Sequence, residues 1–236
     1  MALGEIYELD GVSVGATAYS IPNGSTTPAS ITTNGIFSLW VDPVQGGAMT
    51  KGDYFEAIVM EKCISGGTQR KVFSAMIGNA QAEPWILPPL MLKHGWDMLI
   101  DKIAGTDRAM DASIRGNSTT ITEAYSLSAV SVGASELSIV SGTTALQTIT
   151  TEGIYQLWVD PVAASMAKAD EFAIRIYEKV EATGGTKRQI FKASLMDVQS
   201  SLWVSPMLHL RNGWDMTLQK VSGTDRNFTA SIRRVG

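Results

Sequence analysis

The best nucleophile and general-base candidates of the 236-residue chain are Cys63, His94 and His209. A catalytic site holds such a group in a fixed constellation with its partners. The chain has one cysteine and two histidines, which excludes an internal disulfide and a zinc site built from several cysteines. We expect Cys63 to be an inert thiol and both histidines to lie on the surface or in turns.

Aspartates form a second group of candidate chemical residues, because four of them recur at matching positions. The pairs are Asp42/Asp160, Asp53/Asp170, Asp97/Asp215 and Asp107/Asp225. Two carboxylates could serve a hydrolase as acid and base. The positions favour a structural role, since each aspartate falls at a strand end or turn where its side chain can accept backbone N–H groups. The repeated Gly-Thr-Asp-Arg motif predicts a turn whose arginine has a charge-assisted partner.

The aspartates recur because the chain contains two copies of one sequence. Matching motifs lie 118 positions apart: LWVDPV at 39–44 and 157–162, GWDM at 95–98 and 213–216, and GTDR at 105–108 and 223–226. A period of this length is that of a whole small domain. We predict domains at 1–116 and 121–236, joined by a linker at 117–120.

Because the sequence is repeated, each candidate catalytic residue can be compared with the residue at the matching position of the other copy. His94 aligns with Asn212, His209 with Met91, and Cys63 with Val180. No nucleophile or general base of these types is therefore shared by the two copies. On this ground we predict that the chain is not an enzyme and that it carries no metal or cofactor.

Each copy has the residue pattern of a β domain. Phe172, Ile174 and Ile176 alternate with polar or small residues, as expected of strands with one buried face. Glycine-containing turns separate seven or eight such runs in each copy, and helical periodicity is nearly absent. We predict an all-β chain of two tandem homologous β-sandwich domains, of jelly-roll-like or immunoglobulin-like type.

Six tryptophans form three repeated pairs: Trp40/Trp158, Trp85/Trp203 and Trp96/Trp214. The last pair falls on the predicted core face. Trp40 and Trp158 alternate with core residues and are predicted to face outward. Either a neighbouring loop covers them, such as the one carrying Trp85 or Trp203, or they form a contact surface for a protein or a sugar. The candidate contact residues are Trp40, Trp158, Trp85 and Trp203.

Charge and hydropathy narrow the function classes. The chain has 19 basic and 23 acidic residues, a formal net charge of −4, which argues against broad electrostatic binding to nucleic acid. No segment reaches the roughly 18–20 apolar residues that cross a bilayer. The first residues lack the basic and apolar regions of a secretion signal, so we expect synthesis in a cytoplasm and no membrane partner.

The motif set TTxGIYxLWVD, DxFxxxxxEK, GGTxR, HGWDM or NGWDM, and GTDRxxxxSIR resembles small β proteins encoded by tailed bacteriophages. The resemblance covers nearly all of each copy. It implies a capsid decoration (cement) protein, which binds the outside of the head as an oligomer, frequently a trimer. The implied partners are the major capsid protein or other virion proteins, and the implied location is the outer capsid surface.

Several functions stay open at this point. The leading hypothesis is a phage virion structural protein that decorates and stabilises the head. Its alternative is a tail, neck or fibre-base component. A carbohydrate-binding module with Trp40/Trp158 or Trp85/Trp203 as stacking platforms is a second alternative, and a hydrolase using the repeated aspartates is a third.

Overall fold

A computed structural model of the chain describes residues 4–46, 49–79, 81 and 83–236. The chain divides into two compact units, Met1–Thr120 and Ile121–Gly236. About 59% of the chain is in strands, and the described residues contain no helix. It follows that none of the described segments is a helix able to span a bilayer. The predicted loop at 45–52 lies partly outside the described residues.

The described residues of the first unit form nine strands. They are β1 (Gly4–Val14), β2 (Tyr19–Ser20), β3 (Gly35–Gly46), β4 (Tyr54–Lys62), β5 (Gln69–Gly78), β6 (Trp85–Ile86), β7 (Leu90–Leu92), β8 (Asp97–Ala104) and β9 (Arg108–Asn117). One sheet has the order β1-β9-β3-β6, with β7 also on β3, and the other has the order β2-β8-β4-β5. All of the pairings are antiparallel.

Strands β6 and β7 are two parts of one edge strand. Both pair with β3, and residues 87–89 separate them. Pro88 and Pro89 lie in this gap, where a missing N–H costs no ladder hydrogen bond. With these two parts counted as one strand, the described residues of the unit form eight strands, four in each of two sheets, and the strand orders are those of a jelly roll. The prediction of two sandwich-like, all-β domains is confirmed.

The second unit repeats this topology. Its strands are β10 (Ile121–Val132), β11 (Leu137–Ser138), β12 (Gly153–Asp160), β13 (Glu171–Lys179), β14 (Lys187–Met196), β15 (Trp203–Val204), β16 (Leu208–Leu210), β17 (Asp215–Ser222) and β18 (Arg226–Val235). The sheets have the orders β10-β18-β12-β15, with β16 also on β12, and β11-β17-β13-β14. Asn117, placed in the predicted linker, is the last residue of β9 and pairs with Ile36.

A tryptophan lies at the centre of each core. Trp96 is fully buried against Phe37, with ring centroids 4.8 Å apart, and its Nε1 donates to the carbonyl of Thr33. Trp214 has the same position against Tyr155 at 4.5 Å. The polar end of a buried indole needs such an acceptor. These two rings are therefore structural, as their core-face pattern predicts.

Candidate functional site

The repeated aspartates hold loops in place. Asp53 accepts hydrogen bonds from the backbone N–H groups of Thr50 at 2.8 Å and Thr106 at 3.0 Å, and from Arg108 Nε at 2.8 Å. These backbone donors, helped by Arg108, hold the pKa of the Asp53 carboxyl well below its ordinary value. Gly105 has φ +92°, and a Cβ there would lie 2.2 Å from Asp53 Oδ1. The Gly-Thr-Asp-Arg turn thus uses its glycine and arginine to enclose a carboxylate 55 residues away in sequence.

The second unit repeats this carboxylate lock. Asp170 accepts from the backbone N–H of Ala167 at 2.8 Å and of Thr224 at 3.0 Å, and from Arg226 Nε at 2.8 Å. The same causes lower the pKa of Asp170. The arginine of each repeated motif therefore has the charge-assisted partner that the sequence predicts.

Asp97 and Asp215 are buried and fix the loop that follows the second strand of each unit. Asp97 accepts from Ser20 Oγ at 2.8 Å and from the backbone N–H of Ala29 at 2.7 Å. Asp215 accepts from Ser138 Oγ and the Gln147 N–H at the same distances. Burial raises the pKa of both carboxyls. These hydrogen bonds favour the structural interpretation of the repeated aspartates over an acid–base pair.

The thiol and imidazoles are dispersed. Cys63 is buried, and the backbone N–H of His94 donates to Glu61 in a turn. His209 is exposed on β16, with Nε2 3.2 Å from Glu152. Among the described residues, no three histidine, cysteine, aspartate or glutamate side chains are grouped so that they could hold a metal ion.

The outward tryptophans of the two units differ in exposure. Trp40 and Trp158 each lie under an arginine, with Arg115 Cζ 4.2 Å and Arg233 Cζ 3.8 Å from the ring centroids. Such a stack is a cation–π interaction. Trp158 and Arg233 are fully buried, whereas Trp40 and Arg115 are half-buried. Of the two outward indoles, Trp40 is the one that solvent reaches.

Trp85 and Trp203 lie on the edge strands β6 and β15. Trp85 pairs with Val41, and Trp203 pairs with Val159. Both are half-buried, and Trp203 packs against the core of its unit. The strand that carries Trp85 runs beside Trp40, since Ile86 is the cross-strand partner of Trp40.

A groove of about 460 Å³ surrounds Trp40 on the outer face of the β1-β9-β3-β6 sheet. We call it the Trp40 groove. Its lining residues are Glu5, Glu8, Leu9, Asp10, Trp40, Val41, Asp42, Pro84, Asp111, Ala112, Ser113 and Arg115. Five of these side chains are carboxylates, and Arg115 supplies the positive charge. The groove therefore combines an indole with a strongly acidic lining.

Strand register brings the carboxylates together. Glu5 is paired with Arg115, Glu8 with Ser113, and Asp42 with Asp111. Like charges directly opposite in a sheet are unfavourable. Strand β1 also has two register shifts, at Glu5/Tyr7 and at Leu9/Val12. Such bulges redirect side chains, and the second one lets the Gly11 N–H donate to Asp111 Oδ1 at 2.7 Å.

Glu5 and Glu8 are coupled in this groove. Ser113 Oγ donates to Glu5 Oε2 at 2.5 Å, which lowers the pKa of Glu5. A hydrogen bond between the two carboxyl groups, reinforced by their mutual repulsion, raises the pKa of Glu8. A cation bound beside the pair would stabilise the ionised form of both carboxyls.

The second unit has fewer acids at the matching positions. Ser126, Ser128 and Thr229 stand where the first unit has Glu8, Asp10 and Asp111. The equivalent of Glu5 is kept, since Ser231 Oγ donates to Glu123 Oε2 at 3.1 Å. Asp160, the equivalent of Asp42, accepts the N–H of Ala163 in a turn. The acidic lining around the indole is therefore particular to the first unit.

Sequence reasoning identified Trp40 but missed the acidic residues around it. Glu5, Glu8, Asp10 and Asp111 were not singled out because the comparison of copies searched for shared residues. The informative signal is the reverse one, namely acids in one copy that are serine or threonine in the other.

Comparisons with known proteins give no family. No family model matches the chain, and no curated protein matches its sequence. Solved structures do match, at low similarity. The exported protein XepA of PBSX is 9% identical with a TM-score of 0.29, over 100% of this chain and 86% of that one. The tandem CBM22 domains of Paenibacillus barcinonensis Xyn10C are 9% identical with a TM-score of 0.28, over 99% and 90%.

A third match concerns an enzyme. PNGase F, a glycosylasparaginase from Flavobacterium meningosepticum, is 9% identical with a TM-score of 0.38, over 100% of this chain and 96% of that one. Further structures of this enzyme also match. These matches contradict the prediction that the chain is not an enzyme, and we withdraw it. The TM-scores of all these matches lie below 0.5, so no activity, ligand or partner is transferred from them.

The contribution of the Asp53 carboxylate to the free energy of unfolding should decrease at acidic pH. A carboxyl whose pKa is lower in the folded state contributes stability above its unfolded pKa of about 3.9, and this contribution is lost as the pH falls through the folded pKa. Asp53→Asn should therefore lower the urea midpoint at pH 7, and the gap to the wild type should narrow steadily below about pH 4.

Asp107→Asn is the matched control, because Asp107 is exposed and paired with Lys102. It should change the urea midpoint little. A gap between Asp53→Asn and wild type that stays constant from pH 7 to pH 2 would contradict the proposed role of the ionised carboxylate.

Glu8 should titrate above an ordinary glutamate, because Glu5 is hydrogen-bonded to it. Carboxyl-detected NMR should show this shift, and Glu5→Gln should bring the Glu8 pKa back toward about 4.3. Glu123→Gln makes the matching change in the second unit and should leave Glu8 unaffected. A Glu8 carboxyl that titrates at or below the ordinary value in wild type would rule out the coupling.

Proposed function

We propose that the chain is a structural protein of a tailed-phage virion that decorates the outer surface of the head, with the Trp40 groove as its contact site for the major capsid protein. The motif set quoted above supports the phage assignment, and the paired jelly rolls suit it, since viral capsid domains commonly have this fold. The observation that carries the proposal is the acidic, indole-centred groove of the first unit, where three of the acids are serine or threonine at the matching positions of the second unit.

The indole and the guanidinium of the groove are residue types typical of a protein contact site. Tryptophan and arginine are the residues most enriched among those that dominate interface energies. Trp40 and Arg115 are stacked before any partner arrives, so less side-chain freedom is lost on binding. Because Trp40 is only partly buried, apolar surface of its ring remains for the partner to cover.

The negative charge of the groove favours a positively charged partner. Five carboxylates against one guanidinium attract a basic segment and repel phosphate groups. We therefore propose that a lysine or arginine of the capsid protein enters beside Trp40 and pairs with Glu8. The same charge disfavours a nucleic-acid partner.

The carbohydrate-binding alternative is weaker for this groove. Sugars stack on an open aromatic face, and Arg115 lies over one face of the Trp40 ring. A tail, neck or fibre-base protein would use the same kind of contact, so the test must distinguish heads from tails.

Co-sedimentation with purified phage particles tests the proposal. The chain should bind heads stripped of decoration and should not bind isolated tails. Trp40→Ala should weaken head binding by about tenfold or more, because central interface tryptophans contribute more than about 1.4 kcal/mol. Binding should weaken as salt is added.

Charge-matched variants separate the groove from general surface charge. Glu8→Gln should reduce head binding, whereas Glu181→Gln, an exposed acid of the second unit, should not. Selective binding to tails would favour the alternative virion location. Glycan binding lost in Trp40→Ala, without binding to either particle, would favour the sugar module and overturn the proposal.

We also propose that the chain acts as a homo-oligomer, with a trimer favoured. A trimer of two-unit chains would present six similar sandwiches to a quasi-symmetric head. Light scattering checks the mass, and a strict monomer at high concentration would remove this part of the proposal.

A further inference from the structure

Each unit contains its own cavity at the same place in its fold. In the first unit this cavity is separate from the Trp40 groove. In the first unit it measures about 280 Å³ and is lined by Ser30, Thr32, Asn34, Lys62, Ser65, Lys93, His94 and Gly95. In the second unit it measures about 270 Å³ and is lined by Thr148, Thr150, Glu152, Lys179, Ala182, Arg211, Asn212 and Gly213. The eight lining positions correspond one to one along the aligned copies.

The residue types kept at these positions carry positive charge or hydroxyl groups. Lys62 corresponds to Lys179, and Lys93 to Arg211, so each cavity has two permanent cations. Ser30 and Thr32 correspond to Thr148 and Thr150, which keeps two hydroxyls. Lysine, arginine and hydroxyl side chains are the usual donors to phosphate and sulfate oxygens.

The backbone holds these donors in the same place in both units. Ile31 and Trp96 exchange two backbone hydrogen bonds, of 2.9 and 3.0 Å, which fixes the loop carrying Ser30 and Thr32. Ile149 and Trp214 do the same at 3.0 and 2.9 Å. The alternation along this loop turns the isoleucine side chain inward and leaves the two hydroxyl residues exposed.

A glycine in the left-handed region completes the cavity floor. Gly95 and Gly213 both have φ +57°. A Cβ at Gly95 would lie 2.7 Å from Ser30 Oγ, and one at Gly213 would lie 3.1 Å from Lys179 Cδ. Each glycine therefore lets the lysine stem and a hydroxyl side chain close over the turn.

A glutamate, buried in the first unit and partly buried in the second, supports each turn. Glu61 Oε1 accepts the N–H groups of Lys93 at 2.6 Å and His94 at 2.7 Å. Glu178 Oε1 accepts those of Arg211 at 2.6 Å and Asn212 at 3.1 Å. These bonds hold the turn backbone and leave the side chains of Lys93 and Arg211 to line the cavity.

From this replicated arrangement we propose that each unit binds one tetrahedral oxyanion, a phosphate or sulfate group, between its two cations and its hydroxyl pair. Three separate chain segments supply the donors, which suits an anion with acceptors in three dimensions better than a planar carboxylate. The cavities are smaller than typical drug-sized sites, so they fit a single anionic group. The proposal is independent of the Trp40 groove.

The two cavities should differ in affinity. Glu152 replaces Asn34 and lies 3.3 Å from Arg211 Nε, which places a negative charge in the second cavity. The first unit is therefore the tighter site, and Glu152→Gln should strengthen the second.

Calorimetry with inorganic phosphate at pH 7.5, balanced by chloride at constant ionic strength, tests the proposal on the full chain. Wild type should bind two phosphates. Lys62→Gln and Lys179→Gln should each weaken binding at one site by about tenfold or more, and the double variant should weaken binding at both sites by that amount. Lys192→Gln, an exposed cation elsewhere, should keep two sites.

Amide NMR keeps the test valid if a variant is poorly folded. In the wild type, phosphate should shift the signals of Gly95 and Gly213, and sulfate should do the same. Acetate that binds as tightly as phosphate would overturn the tetrahedral assignment. No binding to wild type, or equal binding to the folded double variant, would overturn the proposal altogether. The affinity of a sulfated monosaccharide, compared with that of the free ion, then identifies the source of the anion. Tighter binding of the monosaccharide indicates an anionic group on a larger molecule, and tighter binding of the ion indicates free phosphate or sulfate.

Discussion

In each strand of the sandwich, every second side chain points into the space between the two sheets. This constraint determines which residues are left on the outer faces to make contacts. Leu39 and Val41 fill the core, so Trp40 between them must face outward. The same rule places Arg115, Ser113 and Asp111 on the outer face of β9, while Ile114 and Ala112 are buried. Core positions and surface positions are thus separated residue by residue.

Core positions and surface positions differ in how far the two units have kept the same residues. The core tryptophans, the aspartate locks and the buried aspartates recur in both units because they hold the frame. Outer-face residues are free to differ, and the acids around Trp40 have no counterpart at three of the matching positions. The cavities lined by Lys62 in the first unit and Lys179 in the second behave in the opposite way, since their charged and hydroxyl residues recur. One surface has diverged while another has been kept, which is the pattern expected if the units share one binding role and divide another.

Period-two alternation and the internal repeat were enough to predict the all-β class, the two sandwiches and the outward face of Trp40, because those features depend on local pattern. The Trp40 groove could not be predicted, because it depends on register: two bulges in β1 place Glu5 and Glu8 opposite Arg115 and Ser113, more than 100 residues away in sequence. The partner of Arg108 was missed for the same reason, since Asp53 lies on another strand connection. Absence of a shared histidine or cysteine also proved too weak a basis for excluding catalysis.

The central claim is that Trp40, in the one acidic groove among the described residues of the two sandwiches, is the surface that meets the capsid. Hydroxyl-radical footprinting of the chain, free and bound to heads, measures this directly through oxidation of individual tryptophans. The account predicts that oxidation of Trp40 falls severalfold on binding, while Trp203 on the matching edge of the second unit is oxidised equally in both states. Unchanged oxidation of Trp40 in the bound chain would contradict it.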